Sequence, residues 1–246
     1  MGWFDRFRRG GRNGEANPTG PAEAASPTNV APAGFRLPAS LGLAADVETE
    51  LRERAWQWVV RGDDDASAFV ESMEDEREEL GVGDATVEAA FAAVVAARRA
   101  QQAHWDPTAA TALTRAFAAL AERGIVAREH FSCCGNCASG EIFGERDDSR
   151  AWRGYVYYHQ QDTDRLIEDR STYIGYGAFL DAWTTEAEWT ALPETQRDQR
   201  HAQIVTALMR EDVIPVLEAH GITVAWDGSL GTRIHLSGVD YLARLP

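Results

Sequence analysis

The apolar residues of this 246-residue chain change their period part-way along, and that change limits the fold more than any other feature. Between residues 46 and 104 they recur at steps of three and four: Val47, Leu51, Ala55, Trp58 and Val59, then Val87, Phe91, Val94, Val95 and Arg98. This is the period of helices buried along one stripe. It predicts three helices, with Asp84 placed to cap the third and a weaker middle one carrying Phe69, Val70, Met73 and Leu80. Beyond Ile125, short runs rich in β-branched and aromatic residues predict strands at 125–131, 154–160, 172–179, 222–226 and 233–236. Helical stretches lie among them. One opens at Asp106-Pro107, carries Leu113, Phe117 and Leu120, and stops at Gly124; another runs from 194 to 220, where Pro215 should kink or split it. Asp227-Gly228 marks a hairpin between the last two strands, making them antiparallel. The expected class is α+β: a mixed sheet of about five strands with helices mainly on one face, preceded by a helical block.

Composition divides the chain. Residues 13–40 hold five of the nine prolines and almost no large apolar residues, so 1–44 read as a basic tail and linker, 45–104 as a helical accessory region, and 105–246 as the α+β domain. In the tail, Trp3, Phe4 and Phe7 alternate with Arg6, Arg8, Arg9 and Arg12. This pattern suits either a frayed end or weak contact of residues 1–12 with an anionic membrane surface. All twenty-four basic residues are arginine, which excludes lysine nucleophiles, Schiff bases and a P-loop lysine. After residue 40, nineteen arginines face thirty-six carboxylates, a balance that repels phosphate backbones and argues against nucleic acid as a partner. Nine carboxylates between Asp63 and Glu79 lack the spacing of a calcium loop and read as a solvated helix face. No run of eighteen apolar residues occurs and the start MGWFDRFRRGGR has no secretory apolar core, so the expectation is a protein of the cytoplasm without a transmembrane segment.

Chemistry concentrates in His130-Phe131-Ser132-Cys133-Cys134-Gly135-Asn136-Cys137. An odd, crowded set of three cysteines is no disulfide framework and fits a reducing compartment. If Ser132 caps a short helix, the three sulfurs share one broad face at its positive end, where thiol pKa falls. Cys133, Cys134 and Cys137 with one imidazole, from His130 or from His159 on the neighbouring strand, form a Cys3His set suited to tetrahedral zinc. Alternatively, Cys134 attacks and Cys137 resolves, as in a thiol-dependent oxidoreductase. A third reading makes the cysteines small buried hydrophobes and turn residues.

Tyr155, Tyr157 and His159 share a strand face by alternation, either a ligand surface or a face covered by a helix. Gly175 and Gly177 leave room for close approach of a helix or ligand. His159 and Asp162 stand three apart, so a Cys-His-Asp arrangement is open. No G-x-S-x-G, H-E-x-x-H or P-loop is present. The runs FSCCGNCASGEI, GYVYYHQQDTDRL, TYIGYGAF and VAWDGSLGTRIHL resemble a bacterial family known as domain of unknown function 6891, over about residues 106–246. The resemblance implies a shared fold and no activity. The chain therefore reads as an acidic, non-catalytic binding protein for an unidentified protein or small molecule, with a structural cysteine cluster.

Overall fold

The computed structural model describes residue 26 and residues 28–246, so the amphipathic run expected at 1–12 lies outside the described residues. The chain forms two compact units, one of residues 26–109 with 242–246, the other of residues 110–241.

In the helical unit, α1 (Ala45–Val60), α2 (Ala66–Ser72), α3 (Glu74–Leu80) and α4 (Asp84–Gln102) follow in order. The single middle helix expected through Phe69, Val70, Met73 and Leu80 divides at Met73, which leaves helical geometry at φ −96°, ψ 12°. Asp65 caps α2 by accepting from the N–H groups of Ser67 and Ala68 at 2.9 and 3.1 Å. Gly83, not Asp84, caps α4; Asp84 is its first residue and pairs with Arg77. Phe69 stacks on Phe91 at 4.6 Å, and Trp58 meets Phe69 edge-on at 5.6 Å.

Arg98 keeps the apolar period and is fully buried. Its guanidinium lies 4.5 Å from the Trp105 ring centroid and donates to the carbonyls of Thr28 and Ala243 and to Gln101 Oε1. A planar, weakly hydrated cation tolerates such a site when its donors meet acceptors. One side chain thus ties the first described residues and the C-terminal five to α4. Part of the stretch read as linker is accordingly packed, with Asn29 and Leu37 buried and the Asn29 carbonyl accepting from Trp56 Nε1 at 2.8 Å.

The second unit is built on β1 (Ile125–Arg128), β2 (Gly154–Tyr157), β3 (Ser171–Ala178), β4 (Thr223–Ala225) and β5 (Ile234–Ser237), in the order β1-β2-β3-β5-β4. The β1–β2 pair is parallel and the others antiparallel, giving the mixed sheet of an α+β fold. Its helices are α5 (Ala112–Glu122), α6 (Gly135–Glu141), α7 (Gln160–Asp169), α8 (Glu186–Ala191), α9 (Glu194–Leu208) and α10 (Ile214–Ala219). Thr111 caps α5, five residues later than expected, because the Asp106 carboxylate closes a local turn onto Thr108. A π segment, Met209–Val213, joins α9 to α10 without a break. Pro215 has no N–H for the Glu211 carbonyl, and the wider turn accommodates its ring. β4 and β5 are joined by a longer loop than a two-residue hairpin, in which Asp227 Oδ1 accepts from the Ser229 N–H and the Thr232 hydroxyl.

On one sheet face, Tyr158 meets Phe117 of α5 at 6.2 Å and Leu208 of α9 reaches Gly154. On the other, Tyr155 and Tyr157 stack at 6.2 Å with 16° between their planes, and α6 covers them. Register explains this. Tyr155 stands opposite Gly177 and Tyr157 opposite Gly175, and each ring lies across its glycine. A Cβ at Gly175 would fall 2.6 Å from Tyr157 Cζ, and one at Gly177 would fall 2.4 Å from Tyr155 Oη. What approaches these glycines is the neighbouring strand's own aromatic side chains.

Overpacking makes Gly175→Ala cost about 1–3 kcal/mol in urea unfolding. Arg98→Ala, which strands the half-buried carbonyls of Thr28 and Ala243 and empties the space beside Trp56 and Trp105, costs about 3 kcal/mol or more.

Candidate metal centre

Beyond β1 the chain makes two tight reversals, with His130 at φ 49° and Ser132 at φ 60°. Non-glycine residues in this left-handed region carry about 1 kcal/mol of strain or more each, which the surroundings must hold. They do so through continued pairing: Tyr158 N–H to Arg128 O at 3.2 Å, Phe131 N–H to Tyr158 O at 2.9 Å, and Gln160 N–H to Ser132 O at 3.1 Å. Ser132 is not the helix cap. Its backbone is still reversing, and α6 starts two residues later than a Ser132 cap allows, with Cys134 at the cap position. Ala138 and Ile142 then bury against Val126, Tyr157 and Phe179, so the helix is seated by apolar packing on the tyrosine face.

The Sγ atoms of Cys133, Cys134 and Cys137 all lie within 4.8 Å of one another. All three thiols are free; Cys133 and Cys137 are exposed and Cys134 is half-buried. Four sulfur or nitrogen donors around zinc, with Zn–S about 2.3 Å, place sulfurs about 3.8 Å apart, so these three need little movement to converge on one ion. The group is electrostatically uneven. Cys134 is pulled below the ordinary thiol range, first by the N–H of Cys137, then by the Cys137 thiol, the N–H of Asn136 and the Cys133 thiol. Cys137 is pushed up to about 11, because its proton is held between the sulfurs of Cys133 and Cys134. Cys134 therefore ionises before Cys137.

Neither candidate imidazole contributes a nitrogen to the group of donors within 4.8 Å of one another. His130 Nδ1 is 2.7 Å from Thr163 Oγ1. His159 is not on a strand, since β2 ends at Tyr157; it caps α7, and its Nε2 lies 3.1 Å from Asp162 Oδ2. Its ring edge comes close to Gly135, where a Cβ would stand 3.6 Å from Cδ2 and Nε2. Arg233 grips both oxygens of Asp162 and also donates to the Tyr173 carbonyl. This buried set borders the cysteines through Tyr157. Burial raises the Tyr157 phenol, with Arg233 and Ser139 lowering it and Asp162 and Cys134 raising it. Among the described residues, which include all six histidines, the sulfur group contains no imidazole and no carboxylate. Sequence reasoning missed Arg233 and Ser139 as neighbours of the site. The His159-x-x-Asp162 spacing, a helix-capping signature, was the available sign that this histidine is engaged locally.

The family model described as Domain of unknown function (DUF6891) matches residues 44–245. The chain belongs to this family. DUF6891 thus takes in the helical unit as well as the stretch from about 106 that carries the resemblance. No curated protein and no solved structure matches the chain. Nothing in these comparisons supports a thiol oxidoreductase.

In chelator-treated protein near neutral pH, iodoacetamide labels Cys134 before Cys137, as read by peptide mass mapping at short times; Cys137 gains reactivity only as pH approaches about 11. Equal rates at both positions contradict this ordering.

Proposed function

We propose that this DUF6891 protein is a non-catalytic binding protein whose Cys133, Cys134 and Cys137 hold one zinc ion. The observation that carries the reading is the convergence of three sulfurs within 4.8 Å on a five-residue segment held by two left-handed turns. Soft thiolates select zinc and other thiophilic ions over magnesium or calcium. The ion would replace the proton that Cys137 otherwise retains and relieve the repulsion among three thiolates. Zinc would also fasten the strand exit to the start of α6, supporting a helix of only seven residues.

Binding is favoured over hydrolysis on charge grounds. Three thiolates leave zinc with one net negative charge, which weakens its pull on a bound water, and among the described residues no carboxylate stands in the sulfur group to act as a base. Three free thiols this close, two of them exposed, persist in a reducing compartment, which supports a cytoplasmic location. No single described helix is long and apolar enough to cross a membrane. The acidic balance after residue 40 favours a protein or small-molecule partner over nucleic acid.

Elemental analysis of untagged protein purified without chelator should find about one zinc per chain. Cys137→Ser should lose most of it, and apparent affinity should rise between about pH 6 and about pH 8 as protons compete less well for the sulfurs. Zinc-free protein that also fails to take up added zinc overturns the reading.

A further inference from the structure

Zinc and an oxidant compete for the same sulfurs, because the thiolate that binds a metal is also the form of cysteine that peroxides attack. Such an attack stays reversible when a second thiol stands near enough to close a disulfide. Here the two candidates share one helical turn. Cys134 holds the cap position of α6 and Cys137 is the third residue within it, and the Ala138 N–H donates to the Cys134 carbonyl at 2.9 Å, closing the turn that contains both. Helix geometry sets Cα atoms three residues apart at about 5–6 Å, inside the range of about 4.4–6.8 Å that a disulfide spans. With the two Sγ atoms already within 4.8 Å, rotation about the Cα–Cβ bonds brings them together without moving the helix.

The other pairings fit less well. Adjacent Cα atoms, as in Cys133 and Cys134, are only about 3.8 Å apart across a trans peptide, short of that range. Cys134 is itself extended at φ −155°, ψ 170°, so the Cys133 backbone lies one extended residue outside the closed turn. One pair is poised to close and one sulfur is left over. Cys133 and Cys137 are exposed, which gives a small oxidant access to the group.

Resting on the zinc reading, we infer that Cys134 and Cys137 form a dithiol sensitive to hydrogen peroxide, whose closure to a disulfide releases the zinc ion. One sulfur attacks the peroxide, breaking the O–O bond and becoming a sulfenic acid; the other displaces that oxygen as the S–S bond forms. Two thiolates are oxidised, the peroxide takes two protons from solvent and leaves as two waters, and Cys133 alone cannot retain the metal. A dithiol reductant reverses the step by exchange. The chain oxidises only itself and turns nothing over. Zinc ties Cys133 to α6, whereas the disulfide ties Cys134 to Cys137 alone, so oxidation frees the exit of β1 while the first turn of α6 stays fastened.

The test treats zinc-loaded full chain with hydrogen peroxide at neutral pH, follows released zinc with a metallochromic dye, and maps blocked thiols and disulfides by peptide mass spectrometry. About one zinc should leave per chain as one intrachain disulfide forms between Cys134 and Cys137, with Cys133 still open to alkylation; dithiothreitol and added zinc should restore the metal. In metal-free protein, Cys133→Ser should close the same disulfide and Cys137→Ser should close none within the chain. Zinc that stays bound over reduced thiols overturns the inference and leaves the zinc site standing. A disulfide through Cys133, a disulfide between chains, or release that yields only sulfinic and sulfonic acids overturns it equally. A chain that takes up no zinc before any oxidant is added removes the zinc reading itself, and this inference with it.

Discussion

The crossing of tyrosine rings over glycines between β2 and β3 is the contact on which the site depends. An antiparallel register sets Tyr155 against Gly177 and Tyr157 against Gly175, and the missing Cβ atoms let both rings lie flat across the neighbouring strand. The result is a smooth aromatic surface instead of a ridge of side chains. A seven-residue helix is too short to be stable alone, and α6 is held because Ala138 and Ile142 settle onto that surface with Phe179 and Val126. Where α6 sits decides where the three sulfurs point. The same Tyr157 ring carries its hydroxyl toward Ser139 and Cys134, so the sheet and the cysteines share one packing solution.

Electrostatics then gives the cluster its character. Backbone N–H groups at the start of α6 favour charge on Cys134, while crowding among sulfurs holds a proton on Cys137. Three sulfurs this close could hold a metal ion in place of the shared proton. Beside it, Asp162 is neutralised by Arg233 and contacts His159, making a closed buried network that frames the site without entering the sulfur group. The turns at His130 and Ser132 lean on the start of α7: the Ser132 carbonyl accepts from the Gln160 N–H, and His130 Nδ1 lies 2.7 Å from Thr163 Oγ1.

Local signals in the sequence translated well into structure, and long-range ones did not. The stripe of Leu113, Phe117 and Leu120 ending at Gly124, and the departure from α geometry before Pro215, follow from backbone and burial rules acting within a few residues. The cysteine group was legible because its members span five positions. The bipartite middle helix was not, since its break at Met73 has no glycine or proline to announce it. Helix α8 was overlooked although Thr185 and Glu188 form its capping box, a signal that was present but unread. The Asp162–Arg233 pair joins residues 71 apart and no local pattern contains it. Likewise, Arg98 showed its place on the buried stripe but not the carbonyls of Thr28 and Ala243 that make its burial tolerable.

The account stands on three sulfurs acting together on one metal ion. Zinc K-edge X-ray absorption on the purified chain measures that donor set without reference to function. It should show three sulfur scatterers at about 2.3 Å and one lighter donor at about 2.0–2.1 Å. A first shell of nitrogen and oxygen alone would contradict the account.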